Sequence, residues 1–128
     1  MLLCNKVICI DFDGTVVKHE YPKIGPDVPF AVDSMKEMLR FGNKLILWTM
    51  RDSHELLDAV QWFKDREIEL YGVQENPTQH RWTKSRKCYG NIFIDDAALG
   101  CPLVFPVTGR PYVDWLAVRD WFQRIKNG

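Results

Sequence analysis

The sequence predicts an α/β fold whose core is a mostly parallel β-sheet flanked by helices. Short apolar runs alternate along the chain with longer stretches whose apolar residues recur every three or four positions. Near-continuous apolar runs are typical of strands that are buried on both faces. Their alternation with amphipathic helices is typical of sheets built through right-handed crossovers. The predicted architecture is therefore a three-layer, doubly wound, Rossmann-like arrangement.

The apolar runs define the predicted strands. Most are rich in the branched and aromatic side chains that favour extended backbone, and the third run is the weakest. In chain order, the predicted strands are residues 7–10 (VICI), 45–48 (LILW), 69–73 (ELYGV), 91–94 (NIFI) and 103–105 (LVF).

Three stretches between or after these runs have the apolar spacing of amphipathic helices. They cover residues 30–41, 52–66 and 114–125. In each of them, apolar side chains recur so that they form one stripe on a helical surface. The second helix opens with Asp52 and Glu55, which have the spacing of a capping box.

Length and composition favour one globular domain that covers residues 1–128. The chain has 17 basic and 17 acidic side chains, so its formal net charge is zero. Binding to nucleic acid or to an anionic membrane would therefore need a local patch. The apolar runs are far shorter than the roughly 20 residues of a membrane-spanning helix. The first residues lack the features of a leader peptide, and a cytoplasmic location is therefore expected.

The cysteines and the segment after the first strand give two further expectations. The four cysteines, at positions 4, 9, 88 and 101, contain no CxxC pair, which favours buried reduced thiols over disulfides or a zinc site. Residues 14–29 combine an Asp-Gly turn, the run TVV and prolines. This composition predicts a small hairpin or flap followed by a loop.

Carboxylates follow two of the predicted strands. Asp11 and Asp13 come directly after the first strand, and Asp95 and Asp96 come directly after the fourth. Ligands of open α/β sheets bind beyond the carboxyl ends of the strands, where these side chains would meet. Carboxylates so close together would repel one another by several kcal/mol, so a cation is implied. Oxygen ligands without histidine or cysteine suit Mg²⁺.

Each acidic pair also has a simpler interpretation. DFDGT could be an ordinary Asp-Gly turn at the end of a strand, and Asp95-Asp96 could be a solvated helix cap. An EF-hand loop is excluded, because Gly14 is its fourth residue rather than its sixth and Pro22 occupies the place of the closing glutamate. The occurrence of both pairs after similar apolar runs favours a shared site.

The order of these segments resembles a known family. DFDGT follows the first strand, Thr49 follows the second, and a lysine-containing TKSRK precedes NIFI and its acidic pair. These segments resemble the four motifs of the haloacid dehalogenase (HAD) superfamily of aspartate-dependent phosphohydrolases. The resemblance covers residues 7–96, and the segments LILWTMR and IDDAALG are most similar to short members. It implies a HAD-like core without a cap domain.

The resemblance implies a role for each carboxylate in the hydrolysis of a phosphate monoester. Asp11 would be the nucleophile that forms a carboxyl phosphate, with one of its oxygens on Mg²⁺. Asp13 would protonate the leaving alkoxide and then activate water, and its backbone carbonyl would bind the metal. Asp96 would bind the metal directly, and Asp95 would bind it through water.

The remaining motif residues would bind the phosphoryl group. Thr49 would donate a hydrogen bond to a phosphoryl oxygen, and a lysine would neutralise the charge that grows during transfer. Lys87 fits the third motif best, with Lys84 as the alternative.

Residues beside the motifs are expected to contact the substrate. These are Gly14, Thr15, Met50 and Arg51. An alternative for Arg51 is that it simply begins the second helix together with Asp52.

Two further segments are candidates for substrate contact. His19, Glu20 and Tyr21 would hang over the site if residues 14–29 form a flap, and otherwise belong to a plain surface hairpin. The second segment, HRWTKSRK at residues 80–87, is a local basic cluster whose tryptophan could stack on a base. Its candidate nucleic-acid contacts are Arg81, Trp82, Lys84 and Arg86. The simpler interpretation of this segment is a solvated loop.

The sequence therefore predicts a Mg²⁺-dependent phosphomonoester hydrolase that acts through an aspartyl phosphate. Its substrate would be a nucleotide, a nucleic-acid end or another phosphomonoester. A phosphoacceptor receiver domain uses similar residues, but its acidic pair follows the first strand and its acceptor aspartate the third, which is the reverse of the order here. The other alternative is a catalytically silent module that binds metal or nucleic acid on a HAD-like fold.

Overall fold

Four short strands form a parallel sheet at the centre of the protein. The computed structural model describes residues 3–125, so the two residues before them and residues 126–128 of the expected domain lie outside the described part. The sheet has the spatial order β3-β2-β1-β4, and every pairing in it is parallel. Its strands are β1 (Val7–Ile10), β2 (Lys44–Leu47), β3 (Gly72–Val73) and β4 (Ile92–Ile94).

The strand order places a topological switch point between β1 and β4. From β1 the chain crosses to β2 and then to β3, moving in one direction across the sheet. It then returns to β4, on the opposite side of β1. In open α/β sheets the crevice at such a reversal is where ligands bind. The predicted α/β fold with a parallel sheet is confirmed, and it is consistent with a Rossmann-like arrangement.

The three predicted helices are confirmed, and each of their ends differs from the prediction by one residue. They are α1 (Ala31–Arg40), α2 (Ser53–Asp65) and α3 (Trp115–Arg124). Asp52 is the N-cap of α2, but its side chain makes no capping hydrogen bond, so the expected capping box does not form. Among the described residues, no helix has the length and apolar character needed to cross a membrane.

The helices pack on one face of the sheet rather than on both. Within residues 3–125, the buried side chains of α1, α2 and α3 join a single core. From the sheet, that core receives Ile8, Ile10, Leu45 and Leu47, whereas the intervening Cys9 and Ile46 point to the opposite face and pack against Cys88.

The expected three-layer architecture is therefore wrong in one respect, because within residues 3–125 the second face of the sheet is not covered by helices. Residues 74–91 connect β3 to β4 and cover the sheet face to which Cys9 points. Their only helical structure is a 3₁₀ turn at Gln79–Arg81. This segment contains Pro77 and lacks an apolar repeat, so it has no stripe with which a helix could pack.

Two predicted strands differ from their observed form. The run at residues 69–73 forms a strand only at Gly72–Val73. The run at 103–105 does not join the main sheet; it forms β5 (Leu103–Val104), which pairs antiparallel with an unpredicted β6 (Tyr112–Val113). Because Phe105 is exposed and a proline follows it, β5 cannot continue as a buried strand.

The predicted flap is observed, whereas the predicted burial of the thiols is confirmed for Cys9 and Cys88 and is wrong for Cys4 and Cys101, which are half-buried. The flap closes as a hairpin, in which the Lys18 N–H donates to the Pro26 carbonyl at 2.8 Å and the Val28 N–H donates to the Val16 carbonyl at 2.9 Å. Cys9 and Cys88 are buried with free thiols, and their Sγ atoms are 3.8 Å apart. Burial, together with the neighbouring Cys88, raises the pKa of Cys9 to about 12.

Candidate active site

Three carboxylates meet at the switch point of the sheet. Because β1 and β4 are parallel neighbours, the residues that follow them leave the sheet at the same edge, and the Asp11 N–H donates to the Ile94 carbonyl at 3.0 Å. Carboxylate oxygens of Asp11, Asp95 and Asp96 lie within 4.8 Å of one another. The sequence prediction that the two acidic pairs share a site holds for these three residues.

The electrostatics of the cluster favour a cation. Burial is the largest effect on Asp11, and together with the charge of Asp95 it raises the pKa of Asp11 to about 8. Burial and the neighbouring Asp96 also raise the pKa of Asp95. A divalent cation would offset this repulsion, and the donor set of carboxylate oxygens alone fits Mg²⁺.

Thr15 supports the cluster instead of contacting substrate. Its hydroxyl donates to Asp11 Oδ2 at 3.1 Å and accepts from the Asp96 N–H at 3.2 Å, so it connects the ends of β1 and β4. Its carbonyl accepts from the indole N–H of Trp115 at 2.7 Å. Thr15 is fully buried, and the expected substrate contact is therefore not supported.

Gly14 permits the close approach of Asp96. Its φ of 82° lies in the left-handed region, and a Cβ at this position would be 2.4 Å from Asp96 Oδ2. The Gly14 N–H donates to the Val17 carbonyl at 2.7 Å, so it is not available to a phosphoryl oxygen. Only glycine combines this backbone conformation with the space that Asp96 requires.

Arg51 holds the flap and Asp13, and does not face substrate. Its side chain is 1% exposed, and its guanidinium donates to both Asp13 oxygens, at 2.7 and 2.8 Å. It also donates to three backbone carbonyls, those of Pro22, Lys23 and Glu55. These bonds use all five N–H groups of an arginine. The structure therefore does not support the expected contact between Arg51 and substrate. It also shows that Arg51 does more than begin α2.

Asp13 lines the cleft but does not belong to the carboxylate cluster. Its two oxygens are occupied by Arg51, whereas the cluster contains Asp11, Asp95 and Asp96. Both oxygens accept hydrogen bonds from the guanidinium, so the Asp13 side chain is fixed beside the cluster.

Thr49 is held in place by a residue that the sequence analysis missed. The side-chain amide of Gln74 accepts from the Thr49 N–H at 2.9 Å and donates to the Thr49 carbonyl at 2.6 Å. The same amide nitrogen donates to the Arg51 carbonyl. The Thr49 hydroxyl accepts from the Arg51 N–H at 3.2 Å, so its own proton can be donated to a ligand. Gln74 directly follows β3, so its place at the carboxyl end of a parallel strand is the feature of the sequence that could have indicated a site residue.

A cleft of about 480 Å³ opens above the carboxylates. Its walls contain most of the predicted site residues and Arg110, which the sequence analysis missed. The guanidinium of Arg110 lies 3.1 Å from His19 Nε2, across the mouth of the flap. Met50 is 96% exposed at the rim. The lining residues are Asp11, Asp13, His19, Tyr21, Thr49, Met50, Arg51, Asp95, Asp96, Ala97 and Arg110.

The expected lysines lie outside this cleft. Lys87 lines a hollow formed with Trp82, Tyr89 and Phe93, and Lys84 lines a second hollow in the same segment. The structure therefore does not bring Lys87 or Lys84 to the carboxylates. Glu20 of the flap also stays outside the cleft, whereas its neighbours His19 and Tyr21 line it.

The fold and the site define an α/β protein with a carboxylate cluster at the switch point of a parallel sheet. A solved structure of the conserved protein coded by a locus from Bacteroides thetaiotaomicron has the same fold, with a TM-score of 0.77. The two sequences are 35% identical over 95% of this chain and 93% of that one. The chain therefore belongs to the same family as that conserved protein. No protein-family model and no curated protein matches the sequence.

Replacement of Arg51 is expected to destabilise the protein strongly. Arg51→Met leaves the Asp13 carboxylate unpaired beside the core, and breaking a buried ion pair in this way costs about 3–5 kcal/mol. Urea unfolding followed by circular dichroism measures the loss. The double variant Arg51→Met, Asp13→Asn should recover part of it, because the unpaired charge is gone.

The matched control is Arg124→Met, which removes the exposed ion pair with Asp120. That change should cost less than about 1 kcal/mol. Equal losses for Arg51→Met and Arg124→Met would contradict the clamp assigned to Arg51.

Without divalent cations, the stability of the protein is expected to fall as pH rises. The pKa of Asp11 is raised from its ordinary value of about 4 to about 8 in the folded state, so folding favours the protonated form. The corresponding stability is fully present below pH 4 and is lost as pH rises through about 8. Thermal unfolding in EDTA between pH 4 and 9 measures it, with Asp11→Asn as the variant that should show a shallower fall. An identical pH dependence in both proteins would contradict the raised pKa.

Proposed function

We propose that this protein is a Mg²⁺-dependent phosphomonoester hydrolase that works through an aspartyl phosphate on Asp11. The observation that carries the proposal is the cluster of Asp11, Asp95 and Asp96 at the switch point. The sequence motifs that resemble the HAD superfamily contribute all three of these residues. We further propose that the sheet and its helices form a HAD-like core without a cap domain.

The chemistry assigned to Asp11 has two steps. A carboxylate oxygen of Asp11 attacks phosphorus, which forms an acyl phosphate and breaks the bond from phosphorus to the ester oxygen. The alkoxide that leaves takes up a proton. Water then attacks the same phosphorus, inorganic phosphate is released with loss of a proton, and the Asp11 carboxylate is regenerated. Splitting one difficult displacement into two easier ones is the advantage of covalent catalysis.

The metal would be held by the three clustered carboxylates. Asp11, Asp95 and Asp96 offer oxygen ligands within 4.8 Å of one another, and the resemblance adds the backbone carbonyl of Asp13. When bound, Mg²⁺ supplies positive charge that polarises the phosphoryl oxygens and offsets the repulsion between the substrate and the carboxylates. The Thr15 hydroxyl, which bonds both Asp11 and the Asp96 N–H, would hold these two metal ligands in position relative to each other.

The phosphoryl group would be positioned by Thr49 and Arg110. The Thr49 hydroxyl has a proton to donate, and Gln74 fixes its backbone. Arg110 lines the cleft, and its guanidinium is directed across the mouth toward His19. A guanidinium offers the fork of donors that suits phosphate. Arg110 is thus the cation assigned to the role that the sequence gave to Lys87.

A second candidate is a metal-binding module without turnover, and the ion pair between Asp13 and Arg51 favours it. Both oxygens of the Asp13 carboxylate accept hydrogen bonds from the guanidinium, so neither is free to reach a leaving alkoxide in this arrangement. If the ion pair persists when substrate binds, the hydrolase would cleave only esters with good leaving groups, whereas the module would release phosphate from none. Release of phosphate from an ester with a good leaving group therefore separates the two candidates.

Phosphate release should require both Mg²⁺ and Asp11. The assay uses p-nitrophenyl phosphate, nucleotides, sugar phosphates and phosphorylated oligonucleotides, each with Mg²⁺ or with EDTA. We expect Asp11→Asn to lower the rate by roughly 10³-fold or more, because it removes the nucleophile. Asp65→Asn, on the far end of α2, is the matched control and should retain activity. Mg²⁺ binding without release from any ester would leave the metal-binding module as the function.

The same assay distinguishes the two cations proposed for the phosphoryl group. Arg110→Ala should lower the rate on p-nitrophenyl phosphate by about 10²-fold, the cost of losing one charge-stabilising donor. Lys87→Ala should leave that rate unchanged, because Lys87 lies in a different hollow. The reverse result would restore the lysine assigned by sequence and would contradict the role given to Arg110.

A further inference from the structure

The segment that replaces the second layer of helices carries a basic and aromatic surface. Two neighbouring hollows open along it, of about 520 and 270 Å³, with Gln79, Thr83, Ser85 and Cys88 as shared walls. We call this the basic-aromatic surface. It is formed by His80, Arg81, Trp82, Lys84, Arg86, Lys87, Tyr89 and Phe93.

Its aromatic rings are exposed yet held in place. Trp82 is 64% exposed, and the ring of Tyr89 packs edge-on against it, with centroids 5.3 Å apart. Phe93 of the edge strand β4 is 39% exposed in the same hollow. A broad indole face that stays open to solvent, next to further exposed rings, is a platform on which a planar base can stack.

Gln79 holds the loop that carries these rings. Its side-chain nitrogen donates to the carbonyls of Ser85 and Lys87, at 3.1 and 3.0 Å. Its side-chain oxygen accepts from the Tyr89 N–H at 2.7 Å. One amide thus fixes three points of the backbone, so the surface is preorganised and a ligand would not bear the cost of ordering it.

The surface has a local excess of positive charge. Arg81, Lys84, Arg86 and Lys87 lie within seven residues, and Glu75 is the one acidic residue among those that line the two hollows. In the described part of the chain, the ion pairs involve other arginines, and these four side chains take part in none of them. In a protein with zero net charge, this is the local patch that binding to a polyanion requires.

The surface continues toward the candidate active site through Gln74. This residue lines the larger hollow, and its amide holds the Thr49 backbone at the cleft. Gln74 thus links the larger hollow to Thr49, which lines the cleft.

We propose that the basic-aromatic surface binds single-stranded nucleic acid and delivers its terminal phosphate to the cleft. Exposed rings beside unpaired cations match the alternation of bases and phosphates in a single strand, whereas paired bases in a duplex are not free to stack. The binding should depend little on base sequence, because every base has a face that can stack. The delivery of a terminal phosphate rests on the proposed function, but the binding does not.

Binding is measured first with an oligonucleotide that the protein cannot hydrolyse. The probe is a fluorescein-labelled single-stranded 12-mer without a terminal phosphate, followed by fluorescence anisotropy. Trp82→Ala should raise the Kd by about 5- to 100-fold, the effect of losing one stacked base. The control Trp121→Ala removes another exposed tryptophan, which is 43% exposed on α3, and should leave the Kd unchanged.

The charge contribution is measured with the same probe at several salt concentrations. The double variant Lys84→Ala, Arg86→Ala should weaken binding and make it less dependent on salt, because fewer phosphates are neutralised. The control Lys36→Ala, Lys64→Ala removes two charges from the helices α1 and α2 and should change neither quantity. Circular dichroism verifies that each variant is folded.

Activity then separates this proposal from the proposed function. For an oligonucleotide with a terminal phosphate, Trp82→Ala should raise KM, whereas hydrolysis of p-nitrophenyl phosphate should stay unchanged. Oligonucleotide binding that depends on Trp82, without hydrolysis of any ester, supports the surface and overturns the hydrolase. Hydrolysis of p-nitrophenyl phosphate with no oligonucleotide binding, or with binding that Trp82→Ala and Trp121→Ala affect equally, overturns the surface. Equal affinity for duplex and single strand also overturns it.

Discussion

The buried ion pair between Arg51 and Asp13 is the interaction on which the arrangement of the cleft depends. Arg51 follows β2, Asp13 follows β1, and the carbonyls that share the guanidinium belong to the flap and to the first turn of α2. One side chain therefore fixes four parts of the chain relative to one another. All five of its N–H groups are used inside the protein, so burial of its charge is compensated.

The carboxylate cluster, in contrast to this ion pair, brings groups of like charge together. Asp11, Asp95 and Asp96 are brought together although their charges repel, and burial together with this repulsion raises the pKa of Asp11. Thr15 and the glycine before it make the approach feasible, one by bridging Asp11 to the Asp96 backbone and the other by leaving space for the Asp96 side chain. Unfavourable local arrangements of this kind are typical of functional sites, where they are retained for binding or catalysis.

The two faces of the sheet have different roles. The face of Ile8 and Leu45 carries the helices and the apolar core. The opposite face is covered by residues 74–91, a loop segment held by polar side chains such as Gln79. Because a loop covers this face, its side chains are free to serve recognition instead of packing. The helical face therefore contributes most of the buried apolar packing, whereas the loop face carries the surface that we propose for binding nucleic acid.

The sequence by itself determined β1, β2 and β4, the three helices and the residues that end β1 and β4, because buried strands and amphipathic helices have local signatures and parallel strands end at a common edge. It therefore placed Asp11, Asp95 and Asp96 in one site. Only the tertiary structure decided which side chains join or leave that site. Arg110 meets His19 across 91 positions of sequence, whereas Lys87 turns to another hollow. Such pairings depend on how loops fold back over the sheet, and no local pattern encodes that path.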